Sequence, residues 1–104
     1  MAQVRIERSL KEVWQVFTDV STWKDWWGGD LKSVQPEWQI GATAAWGGGG
    51  KATICDFQEY KRVGLKGTYG EVVFWAFIEE GGATIVSMGE KLEGSALKIG
   101  RAHV

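Results

Sequence analysis

The first residues alternate between apolar and polar. Val4 and Ile6 stand among Arg5 and Glu7, the period of a short, half-buried strand. The period then lengthens. Ser9 and Glu12 stand in the S-x-x-E pattern that satisfies the first free N–H groups of a helix. Leu10, Val13, Trp14 and Phe17 follow at i, i+3, i+4 and i+7, one apolar stripe. Ser21 or Thr22 is placed to cap a second short helix over 23–27, which Gly28 and Gly29 end. Beyond Asp30 the character changes, and segments 31–34, 42–46, 51–60, 64–69, 71–79 and 83–92 read as six strands. Pro36, Gly41, the four glycines 47–50, residues 62–64, Gly70, Gly81 and Gly82 break them. Connections this short call for antiparallel hairpins rather than parallel crossovers. The order is a strand, two short helices, then an antiparallel meander of about six strands, an α+β pattern. Residues 95–104 hold one or two helical turns at most. A helix that crosses a sheet face needs ~20 residues, so a long C-terminal helix is expected to be missing.

Segment 71–79 breaks the alternation, because both of its faces are apolar. One parity carries Val72, Phe74, Ala76 and Ile78, the other Val73, Trp75 and Phe77. Only one set can face a helix layer, so the other is expected to be covered by a second copy of the chain.

Composition narrows the function classes. The 104 residues suffice for one domain with one core, here a single domain over 1–104. A formal net charge of −1 advertises no basic surface, so no nucleic-acid partner is expected. The longest apolar run, 72–78, is far short of the ~20 residues of a membrane helix, and no charged-then-apolar leader opens the chain. One cysteine, Cys55, forms no internal disulfide; it reads as a small buried apolar residue, and the chain as cytoplasmic. With one cysteine and one histidine, His103, no metal site and no cofactor are expected.

The aromatic block is the strongest chemical signal. Four of seven tryptophans fall within fourteen residues, at 14, 23, 26 and 27. Trp14 lies on the helix stripe and reads as core. A five-residue helix cannot turn Trp23, Trp26 and Trp27 inward together, so at least one belongs at a pocket mouth or contact surface. Asp19 reads as a cap or an indole partner rather than a catalytic acid.

Val13, Trp14, Phe17, Thr18, Asp19, Trp23, Trp26 and Trp27, following a first strand, resemble the START/polyketide-cyclase-like superfamily (SRPBCC, helix-grip fold). The nearest likeness is to its polyketide cyclase/dehydrase and Hsp90-ATPase-activator-homologue types, which commonly carry a VW…F.D…W..W signature there. Gly41-Ala42-Thr43, Lys61-Arg62-Val63 and Gly81-Gly82-Ala83-Thr84 fall where such members have similar turns. The resemblance covers about residues 3–93. It implies a curved sheet closed over a long C-terminal helix, with an apolar cavity between that takes lipids, sterols, polyketides or other hydrophobic molecules; some members are enzymes. The expected absence of that helix leaves the cavity to be covered by a second copy of the chain, an exchanged segment or a partner protein, the homodimer being the favoured reading.

These readings converge on binding of a hydrophobic small molecule (lipid, polyketide or aromatic) in an apolar groove between curved sheet and helices. The lining residues expected are Trp23, Trp27, Trp46, Phe57, Tyr69, Phe74 and Trp75. A second reading is a cyclase- or dehydratase-like enzyme, in which a pocket carboxylate among Asp56, Glu59, Glu71 and Glu90 serves as acid or base and Tyr69 orients a carbonyl. No feature selects a catalytic residue among them. A third is a protein-interaction module using the exposed sheet face. The run Gly47-Gly48-Gly49-Gly50-Lys51 is no phosphate loop, since Ala45 and Ala52 replace its first glycine and its hydroxyl residue.

Overall fold

The computed structural model describes residues 2–92. It contains β1 (Ala2–Ile6), α1 (Leu10–Thr18), a 3-10 turn (Val20–Thr22), α2 (Trp23–Trp26), β2 (Leu31–Gln35), β3 (Thr43–Trp46), β4 (Lys51–Gln58), β5 (Arg62–Gly67), β6 (Glu71–Glu80) and β7 (Ala83–Leu92). All seven strands form one antiparallel sheet in the order β1-β7-β6-β5-β4-β3-β2. The α+β class and the strand–helices–meander order are thus as the pattern predicts. The expectation of a short helical tail over 95–104 lies outside the described residues. No helix among the described residues is long and apolar enough to cross a membrane.

The local chemistry at α1 follows its sequence. Ser9 Oγ accepts from Glu12 N at 3.2 Å, and the Glu12 carboxylate accepts from Ser9 N at 3.4 Å, a reciprocal capping box. At the other end, tryptophans satisfy carbonyls that an α-helix leaves free. The Trp23 indole N–H donates to Phe17 O at 2.7 Å, and the Trp38 indole to Thr18 O at 2.8 Å. The cap of the following turn is Asp19, whose carboxylate accepts from Ser21 N. Thr22 makes no capping bond; its hydroxyl instead donates to Val16 O and accepts from the Trp26 indole at 3.2 Å.

One sheet face packs on the helices. Trp14, Phe17, Trp23, Leu31, Ile54, Val63, Trp75 and Phe77 are buried in one core. A wholly buried indole removes enough apolar area to contribute about 4–6 kcal/mol, so these rings dominate the folding energetics. Ile54 and Phe57 both serve this face although they lie three positions apart, an odd spacing that regular alternation would put on opposite faces. A β-bulge explains it: Ile54 pairs with Leu65 and Asp56 with Gly64, leaving Cys55 as the extra residue. Cys55 is accordingly exposed, which corrects the expectation of a buried thiol.

On β6, Trp75 and Phe77 face the core with Val73, while Phe74 faces away. Phe74 pairs with Gly64 on one side and Gly89 on the other. A Cβ on Gly89 would lie 2.5 Å from Phe74 Cζ, so the ring rests directly on bare glycine backbone. This glycine–aromatic row shields part of the back face from within the sheet. Ile78, on the same face, stays 63% exposed.

Candidate functional site

A groove of about 760 Å³ opens between α1, α2 and the β1–β7–β6 end of the concave face. Its floor is set by register. Ala2, Met88 and Trp75 lie in one row across the three strands, Val4, Val86 and Phe77 in the next, and Ile6, Thr84 and Glu79 in the third. Val13, Val16 and Phe17 of α1 form one wall, because they share the helix face turned toward β1. Trp26 and Trp27 stand at the aromatic end, their rings 6.3 and 5.3 Å from Trp75. Arg8 and Glu12 stand at the other end, where the chain passes from β1 into α1. The rim is apolar and open to solvent: Val4 is 54% exposed, Val16 51% and Trp26 40%.

The charged groups near the groove are mostly paired. Thr84 Oγ1 donates to Arg8 O at 2.9 Å and fixes the backbone at the groove mouth. Glu79 accepts from Leu10 N at 3.2 Å. Arg5 contacts Glu7 at 2.9 Å and Glu80 at 3.4 Å, and above all the hydrogen bond that it donates to Glu7 holds its guanidinium more firmly in the charged form.

Solved structures share this architecture. CalU16 from Micromonospora echinospora superposes with a TM-score of 0.71 at 19% identity, over 97% of this chain and 66% of that one. The Aha1 dimer from Colwellia psychrerythraea gives 0.70 at 18% identity, over 98% and 81%. DynU16, a protein of the dynemicin biosynthetic locus, gives 0.71 at 18% identity, over 98% and 41%. The chain has the helix-grip-like fold of these structures. The chain thus spans just under two thirds of CalU16 and less than half of DynU16. The sequence matches no protein-family model and no curated protein.

Within this helix-grip frame the seven expected lining residues separate. Trp27 and Trp75 line the groove. Trp23 is wholly buried beneath them, 5.4 Å from Trp75 and 6.0 Å from Trp27, and supports the aromatic end from below. Trp46 sits behind Trp23 at 6.4 Å, and Phe57 lies beyond Trp14 at 5.8 Å, so both are core neighbours rather than groove wall. Phe74 occupies the opposite sheet face. Tyr69, in the β5–β6 turn, is 90% exposed and away from the groove. Of the four carboxylates considered for acid–base work, none lines it: Asp56 pairs with Arg62 at 2.7 Å, and Glu71 accepts from Tyr69 N.

Aliphatic groove residues escaped the sequence reading. Val4 and Ile6 were visible as one strand face, and Val86 and Met88 repeat that period on β7. What was missing was the pairing of β1 with β7, which joins chain segments about eighty residues apart.

Proposed function

We propose that this chain binds a hydrophobic small molecule, a lipid, polyketide or aromatic compound, in the groove between α1, α2 and the β1–β7–β6 floor. The observation that carries this reading is the groove itself. Its volume of about 760 Å³ falls in the range of small-molecule sites, and its lining is mostly aliphatic and aromatic, with its charged residues, Arg8 and Glu12, at one end. Binding would be driven by desolvation of ligand and wall together, with Trp26, Trp27 and Trp75 supplying flat surfaces and the valines and Met88 an adaptable floor. That one structure of this fold is a protein of a biosynthetic locus is consistent with a small-molecule role.

The open rim supports a second element of the proposal, assembly as a homodimer. Val4, Val16 and Trp26 expose apolar surface side by side, an arrangement that soluble chains usually cover. One solved structure of this fold is a dimer.

The test is a tryptophan-fluorescence titration with neutral hydrophobes, naphthalene and decanol, on the wild-type chain and on Val16→Glu. Val16 is half-exposed on the groove wall, so the substitution puts a charge in the groove while leaving the core intact. Saturable quenching or a blue shift is expected for the wild type, with affinity at least tenfold lower in the variant. Absence of any saturable change across the panel, or equal affinity in Val16→Glu, would overturn the proposal.

A further inference from the structure

The groove has chemically different ends, and that polarity bears on which ligands it takes. The Ile6 row lies four residue steps along β1 from the Ala2 row, a distance of about 13 Å. Three indole systems, Trp26, Trp27 and Trp75, close one end. The other end carries the charged residues of the lining, Arg8 and Glu12.

Carboxylates outnumber cations around that end, yet each is already engaged. Glu12 is committed to the capping box through Ser9 N and Ser9 Oγ, at 3.4 and 3.1 Å. Glu79 holds Leu10 N, and Glu7 and Glu80 both face Arg5. Arg8 differs. Its Nη1 donates to Glu7 O at 3.1 Å, and among the described residues it forms no ion pair. Its guanidinium has five N–H donors in a planar fork, so most of them remain for an incoming acceptor. The bond from Thr84 Oγ1 to Arg8 O anchors the residue's backbone at the mouth, leaving the side chain to swing over the opening.

We infer that the groove selects anionic amphiphiles, with a carboxylate head against Arg8 and a linear or aromatic tail running to Trp26, Trp27 and Trp75. This rests on the hydrophobic-ligand reading and adds to it an orientation and a charge requirement. The floor length suits a tail of roughly ten carbons. The Arg8 guanidinium disfavours a cationic head, and a neutral head forms no charge-assisted bond with it; Glu12, beside the same mouth, is drawn back onto the helix cap by its bonds to Ser9.

The experiment compares decanoate, decanol and decyltrimethylammonium, each below its micelle concentration, by tryptophan fluorescence on the wild-type chain and on Arg8→Gln. The wild type is expected to prefer decanoate to decanol by about tenfold and to bind the cation weakest, the size expected of one charge-assisted contact at a solvent-exposed mouth. In Arg8→Gln the decanoate-to-decanol ratio should fall to about one, and Arg8→Lys should keep part of the preference. Equal wild-type affinity for decanoate and decanol, preference for the cation, or a decanoate preference that survives in Arg8→Gln would overturn the inference while leaving the groove a hydrophobic site. Failure of all three compounds to bind saturably would instead remove the groove reading, and this inference with it. Far-UV circular dichroism of Arg8→Gln checks the fold independently of any ligand.

Discussion

Trp23→Phe is expected to be among the costliest conservative substitutions in the chain. The phenyl ring retains most of the apolar surface, so the loss comes from two sources. The first is Phe17 O, a carbonyl in the last turn of α1 that accepts from the Trp23 indole at 2.7 Å inside the core. Removing a donor from a buried acceptor costs about 1–3 kcal/mol. The second is volume: replacing indole by phenyl removes roughly 40 Å³, which at ~24 cal/mol per Å³ of cavity adds about 1 kcal/mol. The total is about 2–4 kcal/mol, a large fraction of the 5–15 kcal/mol typical of such a domain. Trp46→Phe is the matched control, since Trp46 is half-buried and meets the cluster at Trp23, 6.4 Å away. It should cost under about 1 kcal/mol, as partly exposed substitutions do. Urea unfolding followed by far-UV circular dichroism reads both without depending on tryptophan emission. With a slope of about 1–3 kcal/mol per molar urea, the Trp23→Phe midpoint should drop by about 1 M or more. Equal midpoints for the two variants would refute the claim that the indole N–H caps the helix.

On the back face, Gly89→Ala would place a methyl 2.5 Å from Phe74 Cζ and should destabilise by about 1–3 kcal/mol, as overpacking does. In a double-mutant cycle with Phe74→Ala most of that cost should vanish; additive losses would contradict the glycine–aromatic contact. Sedimentation at micromolar concentration should show the proposed dimer, and a lone 11.5 kDa species would exclude it.

Much of the fold was legible because its signals are local. The Ser9–Glu12 capping box, the stripe from Leu10 to Phe17 and the glycine-punctuated hairpins each act within a few residues. Faces were harder. On β6, hydrophobicity alone does not separate Trp75 from Phe74; the distinction comes from Gly64 and Gly89 on neighbouring strands, which only the register brings beside Phe74. On β4, the bulge at Cys55 shifts the alternation by one, so Ile54 and Phe57 share a face and the thiol turns outward. Trp38 follows no period at all, because it sits in a loop and is held by its bond to Thr18 O. The groove was anticipated in kind, an apolar space beside the tryptophan block. Its walls were weighted toward aromatics, whereas the observed lining takes two of the seven residues expected and adds aliphatic side chains from β1 and β7.

The most direct test of the groove as a ligand site is a methyl NMR titration of the wild-type chain with decanoate and naphthalene. The account predicts saturable shifts at Val4, Ile6, Val13, Val16, Val86 and Met88, which line the groove. Ile78 and Ile85, paired on the opposite face, should stay unmoved. Shifts centred on Ile78 and Ile85, or no saturable shift at the groove methyls, would contradict it.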